Sequence, residues 1–340
     1  MTPLHVAVVR ESVPDDASFD AQDTVLQARS VQESLARCGW RTSEHVLGSD
    51  PSALEAGLAH RRPNVVFNLV ESCHGLASLA CMAPALFRKA GLPFTGADEG
   101  SMALAGDKAL ARRLLHASGL PVPPGVSMGE LQRGVFPGPG TYIIKARFED
   151  ASLGLGPDCV VEVREGAELL AVMREFASRM GGDCVAEGYV RGREFNLALL
   201  AVPGGAVQCL PLAEMVFDPA MPGPAILHYA AKWDQGSADY AASVRSFDLD
   251  GEENLVSEMR RIGLACWELF NLAGYARIDF RVAGPGQIFV IDVNPNPCIT
   301  PDAGFAAAAR RAGLDHPALV QEIVFDALER SGKMKAGSRV

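Results

Sequence analysis

Short apolar runs separated by amphipathic stretches fill the first hundred residues. "HVAVV" (5–9) and "NVVFNLV" (64–70) are near-continuous apolar runs, as in strands covered on both faces. Between them a helical stretch over about 19–38 closes at Gly39, and "RTSEHVL" (41–47) reads as a weaker strand. Asp50 then caps a helix with Pro51 at its first position, and the segment 76–90 returns as a helix ending at Gly91. This βαβαβα order predicts a parallel sheet under helices. No GxGxxG follows the first strand, so a dinucleotide is not expected.

Beyond residue 100 the pattern changes. A helix over 106–119 exits through "GLPVPPG" (119–125), a candidate hinge. "TYIIKARF" (141–148) is a strand, followed by the small Gly-bearing loop "EDASLGLGPD" (149–158). "CVVEV" (159–163), a helix near 165–180 and "CVAEGYV" (184–190) complete a small α+β unit. From "REFNLALLAV" (193–202) onward the strands are antiparallel in character. A helical region over about 302–330 precedes a basic tail.

The last two strands carry the chemistry. In "ARIDFRV" (276–282), Ala276, Ile278, Phe280 and Val282 share one face while Arg277, Asp279 and Arg281 share the other. "AGPGQ" supplies a turn, and in the returning run Asp292 and Asn294 point the same way, roughly 7 Å apart along the strand. With a loop of about four residues, Asp279 is expected opposite Val290 and diagonal to Asp292. Asp292 by itself fits a strand end surfacing at the turn made by Pro295 and Pro297. Two carboxylates and an amide on one face, with Arg277 beside them, fit a cation site better. Oxygen donors without thiolate or imidazole suit Mg²⁺ rather than zinc, and Mg²⁺ shares its shell with phosphates. Lys145, followed by Ser152, Gly154 and Gly156, supplies a candidate phosphate site. Alone, Lys145 fits better a lysine reaching out from a strand end.

Composition narrows the field. The 340 residues suffice for two or three domains, and the net charge of −10 with pI near 5.2 argues against a nucleic-acid partner. No apolar run is long enough to span a bilayer, and "MTPLHVAVVRES" enters a strand without a basic leader. Neither membrane nor signal peptide is therefore expected. The eight cysteines form no CxxC pair, which predicts reduced thiols in the cytoplasm. The Ala-, Leu- and Arg-rich helices after Phe305 fit internal packing and a homodimer surface alike.

The order of lysine, Gly/Ser loop, hinge carboxylate and acidic hairpin resembles the ATP-grasp superfamily, and within it the D-alanine–D-alanine ligases. The resemblance covers most of the chain after about residue 64. It implies a Rossmann-like parallel α/β domain (1–97), a small α+β lid domain (98–188) and a mostly antiparallel α+β domain (189–340). "LPFTGADEGSMALAGDKALARRLLHASGLPVPPG" (92–125) looks like the family's linker into the lid, with Lys108 as the first nucleotide-contacting lysine. "YIIKARFEDASLGLG" (142–156) brings the second, Lys145, and a phosphate loop with Ser152 and Gly154. In "CVAEGYVRGREFNLALL" (184–200), Glu187 corresponds to the group at the adenine amino, Tyr189 and Val190 to hinge backbone, and Glu194 to the ribose contact. "YAAKWD" (229–234) sets Lys232 at the terminal phosphates as a catalytic lysine. By the same resemblance Asp279, Asp292 and Asn294 hold two Mg²⁺ ions, with Mn²⁺ as an alternative, and Arg277 is catalytic. The implied reaction uses ATP to join a small carboxylate to a small amine through an acyl phosphate, under lid loops that move.

The substrate half departs from the family's pattern. "VVRESVPDDAS" has no glycine pair, leaving Glu11 as a displaced counterpart of the residue that orients the first D-alanine. In "ESCHGLASLACM", His74 and Gly75 persist, the acidic residues that follow do not, and Glu71 is the candidate substitute. The first serine of the phosphate loop is Ala151, the loop tyrosine is Trp233, and the metal glutamate is Asp292. Cys298 replaces a turn glycine, and the serine expected to hold the acceptor carboxylate falls at Ala303. ATP chemistry is implied and dipeptide specificity is not. The alternatives are a D-alanine–D-alanine ligase itself and, from another class, an ATP-binding module without turnover.

Overall fold

A computed structural model of the chain describes residues 3–14, 16, 17, 19–149, 155–220, 223–227 and 243–334. Strands β1 (His5–Glu11), β2 (Arg41–Leu47) and β3 (Val65–Asn68) form a parallel sheet in the order β2-β1-β3. Helices Phe19–Arg37 and Pro51–Arg61 make the crossovers, the second capped by Asp50, whose side chain accepts from Ser52 N–H. The expected alternation therefore stands, with two local differences. The third strand is shorter than the apolar run "NVVFNLV", and the helix expected over 76–90 is a 3₁₀ turn, Ala77–Leu79, followed by helix Met82–Lys89. A further helix, Glu99–Gly106, lies where none was predicted; Asp98 caps it by accepting from Ser101 N–H.

Strands β4 (Gly125–Ser127), β5 (Gly140–Ala146), β6 (Val160–Val163) and β7 (Cys184–Gly188) make an antiparallel sheet ordered β4-β7-β5-β6. Helix Gly166–Met180 covers it through Leu169, Met173 and Phe176. The remaining strands are β8 (Arg193–Val202), β9 (Ala206–Cys209), β10 (Ala213–Phe217), β11 (Ser243–Ser246), β12 (Tyr275–Val282) and β13 (Ile288–Asn294). They form an antiparallel sheet ordered β11-β10-β8-β12-β13, with β9 on β8. Among the described residues no helix is long and apolar enough to cross a membrane.

Strand alternation decides what this third sheet can do. Phe195, Leu197 and Leu199 of β8, with Ala276, Ile278, Phe280 and Val282 of β12, pack against helix Glu253–Leu269. The opposite face is split along its length. Ala198, Leu200 and Tyr275 join a core with Phe305 and helix His316–Arg330, a core that also takes in Val6, Val8 and Phe67 of the first sheet. The remainder of that face is polar, which leaves it for ligands.

The turn into β8 needs glycine. Gly192 has φ +145°, and a Cβ there would lie 2.0 Å from the Val282 carbonyl oxygen. Gly192→Ala should lower unfolding stability by about 1–3 kcal/mol, since neither the backbone angle nor the space tolerates a side chain. Chemical denaturation checks this, and an unchanged midpoint would show that the turn re-forms another way.

Candidate active site

The polar face of β8, β12 and β13 brings the candidate groups together. Register sets Glu194 opposite Arg281, Asn196 opposite Asp279, and Arg277 opposite Asn294. Asp279 faces Asp292 directly, not diagonally across from it as predicted with Val290 opposite. Two one-residue shifts add up: Val282 pairs with Ile288, so the loop 283–287 has five residues rather than four, and a bulge between Asp279 and Phe280 leaves Ile291 as an extra residue.

Two facing carboxylates need cations, and three supply them. Lys108 Nζ donates to Asp292 Oδ1 at 3.0 Å, and Arg277 grips Asp279 through Nε and Nη2, both at 2.8 Å. Lys145 Nζ donates to Glu187 Oε2 at 2.7 Å and to the carbonyl of the bulge residue, Ile291, at 3.2 Å. Burial pushes the Asp292 carboxyl up, but Lys108, Lys145 and Arg277 outweigh it and hold it below its ordinary value. Lys108 owes its position to Asp107, which caps helix Lys108–Ala117 and is gripped twice by Arg147, at 2.8 and 2.7 Å.

The donor set fits a hard cation. Among the described residues no group of three His, Cys, Asp or Glu side chains is gathered to hold an ion alone. Asp279, Asp292 and Asn294 instead offer two carboxylates and an amide oxygen, suited to Mg²⁺ that completes its shell with phosphate and water. Asn294 Oδ1 is already oriented, accepting Asn296 N–H at 2.9 Å, and Asn296 is held by the Tyr275 hydroxyl at 2.8 Å.

These groups line one cavity of about 720 Å³ together with Tyr189, Val190, Glu194, Glu11, Glu71 and Cys298. His74 does not line it. Its backbone is left-handed (φ +56°) in an exposed turn bridged by Cys73 and Leu76, so it is a turn residue. Ser152, Gly154 and Lys232 lie outside the described residues, as do Ala151 and Trp233. Glu11 is buried, its carboxylate accepting from Thr24 Oγ1 at 3.1 Å and Glu71 N–H at 3.0 Å. The Cys298 thiol donates to Asp23 Oδ2 at 3.0 Å, and burial together with Asp23 pushes its pKa up. That is the opposite of the electropositive setting a reactive thiolate requires.

Comparison with known proteins decides the family. A family profile described as the D-ala D-ala ligase C-terminus matches residues 143–325, more than half the chain. The chain belongs to the D-alanine–D-alanine ligase family. It is 30% identical to the D-alanine–D-alanine ligase of Moorella thermoacetica, over 81% of this chain and 85% of that one. It is also 28% identical to an uncharacterised protein of Sinorhizobium fredii, over 87% and 86%. The fold matches the D-alanine–D-alanine ligase of Bacillus anthracis solved with ATP, at TM-score 0.71 and 16% identity, over 97% of this chain and 99% of that one. The chain is thus an ATP-grasp ligase of the type that forms a C–N bond, in a family in which ATP and Mg²⁺ binding are typical.

Two residues of this family member went unread in its sequence. Asn196 donates to Asp279 Oδ1 at 2.8 Å, and its spacing of two from Glu194 was the available signal. Asp23 reaches Cys298 from a helix 275 residues earlier, and no local pattern announces that contact.

Desolvation raises the Glu11 carboxyl above its ordinary value. The folded protein therefore holds that proton to higher pH than the unfolded chain does. The stabilisation is complete below the ordinary carboxyl range and is lost as pH rises through the raised folded value. Relative to Glu11→Gln, the wild type should lose stability across that window; denaturation midpoints from pH 4 to 8 read the difference, and parallel curves would refute it.

Proposed function

We propose that the chain is an ATP-dependent carboxylate–amine ligase that activates its acid as an acyl phosphate, releases ADP and phosphate, and joins a pair other than two D-alanines. The observation that carries this reading is the direct pairing of Asp279 with Asp292, beside Asn294, Lys108 and Lys145, on the wall of one cavity. Two bound Mg²⁺ ions would neutralise charge on the transferring phosphoryl group. Lys108 and Lys145 now spend their charge on Asp292 and Glu187. Phosphate oxygens offer both lysines charged acceptors in exchange. Turning to them frees Glu187 to accept from an adenine amino group. Arg277 donates to the oxyanion that forms when the amine attacks the activated carbonyl. We take residues 1–97, 98–188 and 189–340 as the three working parts, the middle one excluding water from the acyl phosphate.

The test is a screen of purified protein with ATP, Mg²⁺ and pooled acids and amines, read by mass for ADP and a condensed product. Matched ADP and product support the ligase; ATP binding without turnover on any pair favours the binding module. Within the screen, Asp292→Asn should cut ADP formation by about 100-fold or more at fixed Mg²⁺, because a direct ligand is lost. Wild-type rates in that variant would remove Asp292 from the metal site.

D-Alanine should be a poor acceptor. Ala303, which lines the cavity with Asp302, offers no hydroxyl to a carboxylate, and Asp302 repels one. A carboxylate left without one hydrogen-bond donor in a closed site binds about 10–100-fold more weakly. Efficient D-alanyl-D-alanine synthesis at or below low-millimolar substrate would overturn this and make the chain a D-alanine–D-alanine ligase outright.

A further inference from the structure

We propose that Arg281 is the positioning residue for nucleotide-sugar recognition: it holds Glu194 so that one carboxylate oxygen stays open to accept from the ribose hydroxyls. The proposal rests on the nucleotide reading above and extends it to a side chain without an assigned role. Strand register sets Arg281 directly opposite Glu194, and Arg281 Nη2 donates to Glu194 Oε2 at 2.7 Å. The two side chains are only 5% and 9% exposed. Among the described residues no other hydrogen bond reaches the Glu194 carboxylate, so Oε1 has no protein donor although the residue lines the cavity.

A carboxylate oxygen that faces the cavity without a protein donor is open to a donor that a ligand brings, and a hydrogen bond to a charged group is among the stronger ones. The chemistry of a nucleotide limits what that ligand group can be. Phosphates are excluded by charge. The adenine amino group already has its acceptor in the proposed role of Glu187. A vicinal diol, with two neutral hydroxyl donors, is what remains.

Arg281 also keeps that oxygen from swinging away. The same guanidinium donates to the Gly192 carbonyl at 3.1 Å and to the Ala225 carbonyl, and it lies 5.6 Å from the centre of the Phe217 ring. Anchors on three separate segments fix the plane of the fork and, through it, Glu194. Lysine offers a point charge and cannot reproduce that fork. A merely structural ion pair between β8 and β12 would have the same distances, so the sugar preference is the discriminating readout.

The experiment is calorimetric titration of the full chain with Mg²⁺ and either ATP or 2′-deoxy-ATP. Wild type should bind ATP about 10–100-fold more tightly than 2′-deoxy-ATP, the range for a hydrogen bond to a charged group. Arg281→Met should bind ATP about tenfold more weakly and keep a preference of no more than about threefold. Arg281→Lys should regain part of that preference, because an ammonium still pairs with Glu194 without fixing its plane. Equal binding of the two nucleotides by wild type overturns the proposal even if no variant folds. Arg281→Met that is less stable yet retains the full preference also overturns it, leaving a structural pair. No acid or amine is present, so a failure of ligase turnover would count against the proposed reaction and leave this result standing.

Discussion

Two carboxylates set face to face across an antiparallel pair are the constraint around which this molecule is organised. At about 4 Å, like unit charges repel by about 4 kcal/mol even at an effective dielectric near 20. The fold answers with cations from three places: Lys108 at the start of a helix, Lys145 on a strand of the second sheet, and Arg277 on the acidic strand itself. Each has its own support. Asp107 and Arg147 hold the helix end that delivers Lys108, and Glu187 receives Lys145. The bulge at Ile291 both brings the acids into register and offers Lys145 a carbonyl. Edge strand β13 is covered in the process, since Val290 N–H also donates to the Pro121 carbonyl.

Much of this was legible because it is periodic. Alternation in "ARIDFRV" correctly separated Ala276, Ile278, Phe280 and Val282 from Arg277, Asp279 and Arg281. Asp50–Pro51 marked a helix start, and the βαβαβα order gave a parallel sheet. Register was another matter. The hairpin loop is one residue longer than the four expected, and a bulge shifts the pairing by one more; neither marks hydrophobic periodicity, so Asp279 lies opposite Asp292 and not Val290. The resemblance singled out His74 with Gly75; both have positive φ in an exposed turn, and of the two Gly75 lines the cavity while His74 does not. Contacts between distant segments, such as Asp23 with Cys298, are set by tertiary packing and have no local signature.

The half of the cavity that departs most from the family's sequence pattern also has fewer cations to offset its acids. Glu11, Asp23 and Glu71 come from the first sheet and its helix, and Asp302 follows the hairpin. Cys298 does not add reactivity there; its thiol serves as a hydrogen-bond donor that ties the turn after β13 to helix Phe19–Arg37. His316 reinforces the tie, bridging the Ile299 carbonyl at 2.8 Å and Ser34 Oγ at 2.7 Å. The turn that follows β13 is thus held from the N-terminal side by helix Phe19–Arg37, on the backbone that runs from Asn294 to Asp302.

The shared core has a consequence for how the chain comes to be folded. Val6, Val8 and Phe67 are covered by Leu319, Val320 and Ile323, separated from them by at least 250 residues. During synthesis the first sheet emerges early, with one face of its strands waiting for a helix the ribosome has not yet made. Helix Phe19–Arg37 covers part of that face through Ala28, Val31 and Leu35, but the packing cannot be completed until the last helix is made. Early folding would fall to the second sheet, whose core closes over residues 126–186 and their helix with contacts far shorter in sequence. Contact length in sequence alone thus favours assembly from the middle outward, with the cavity wall built by both ends closing late.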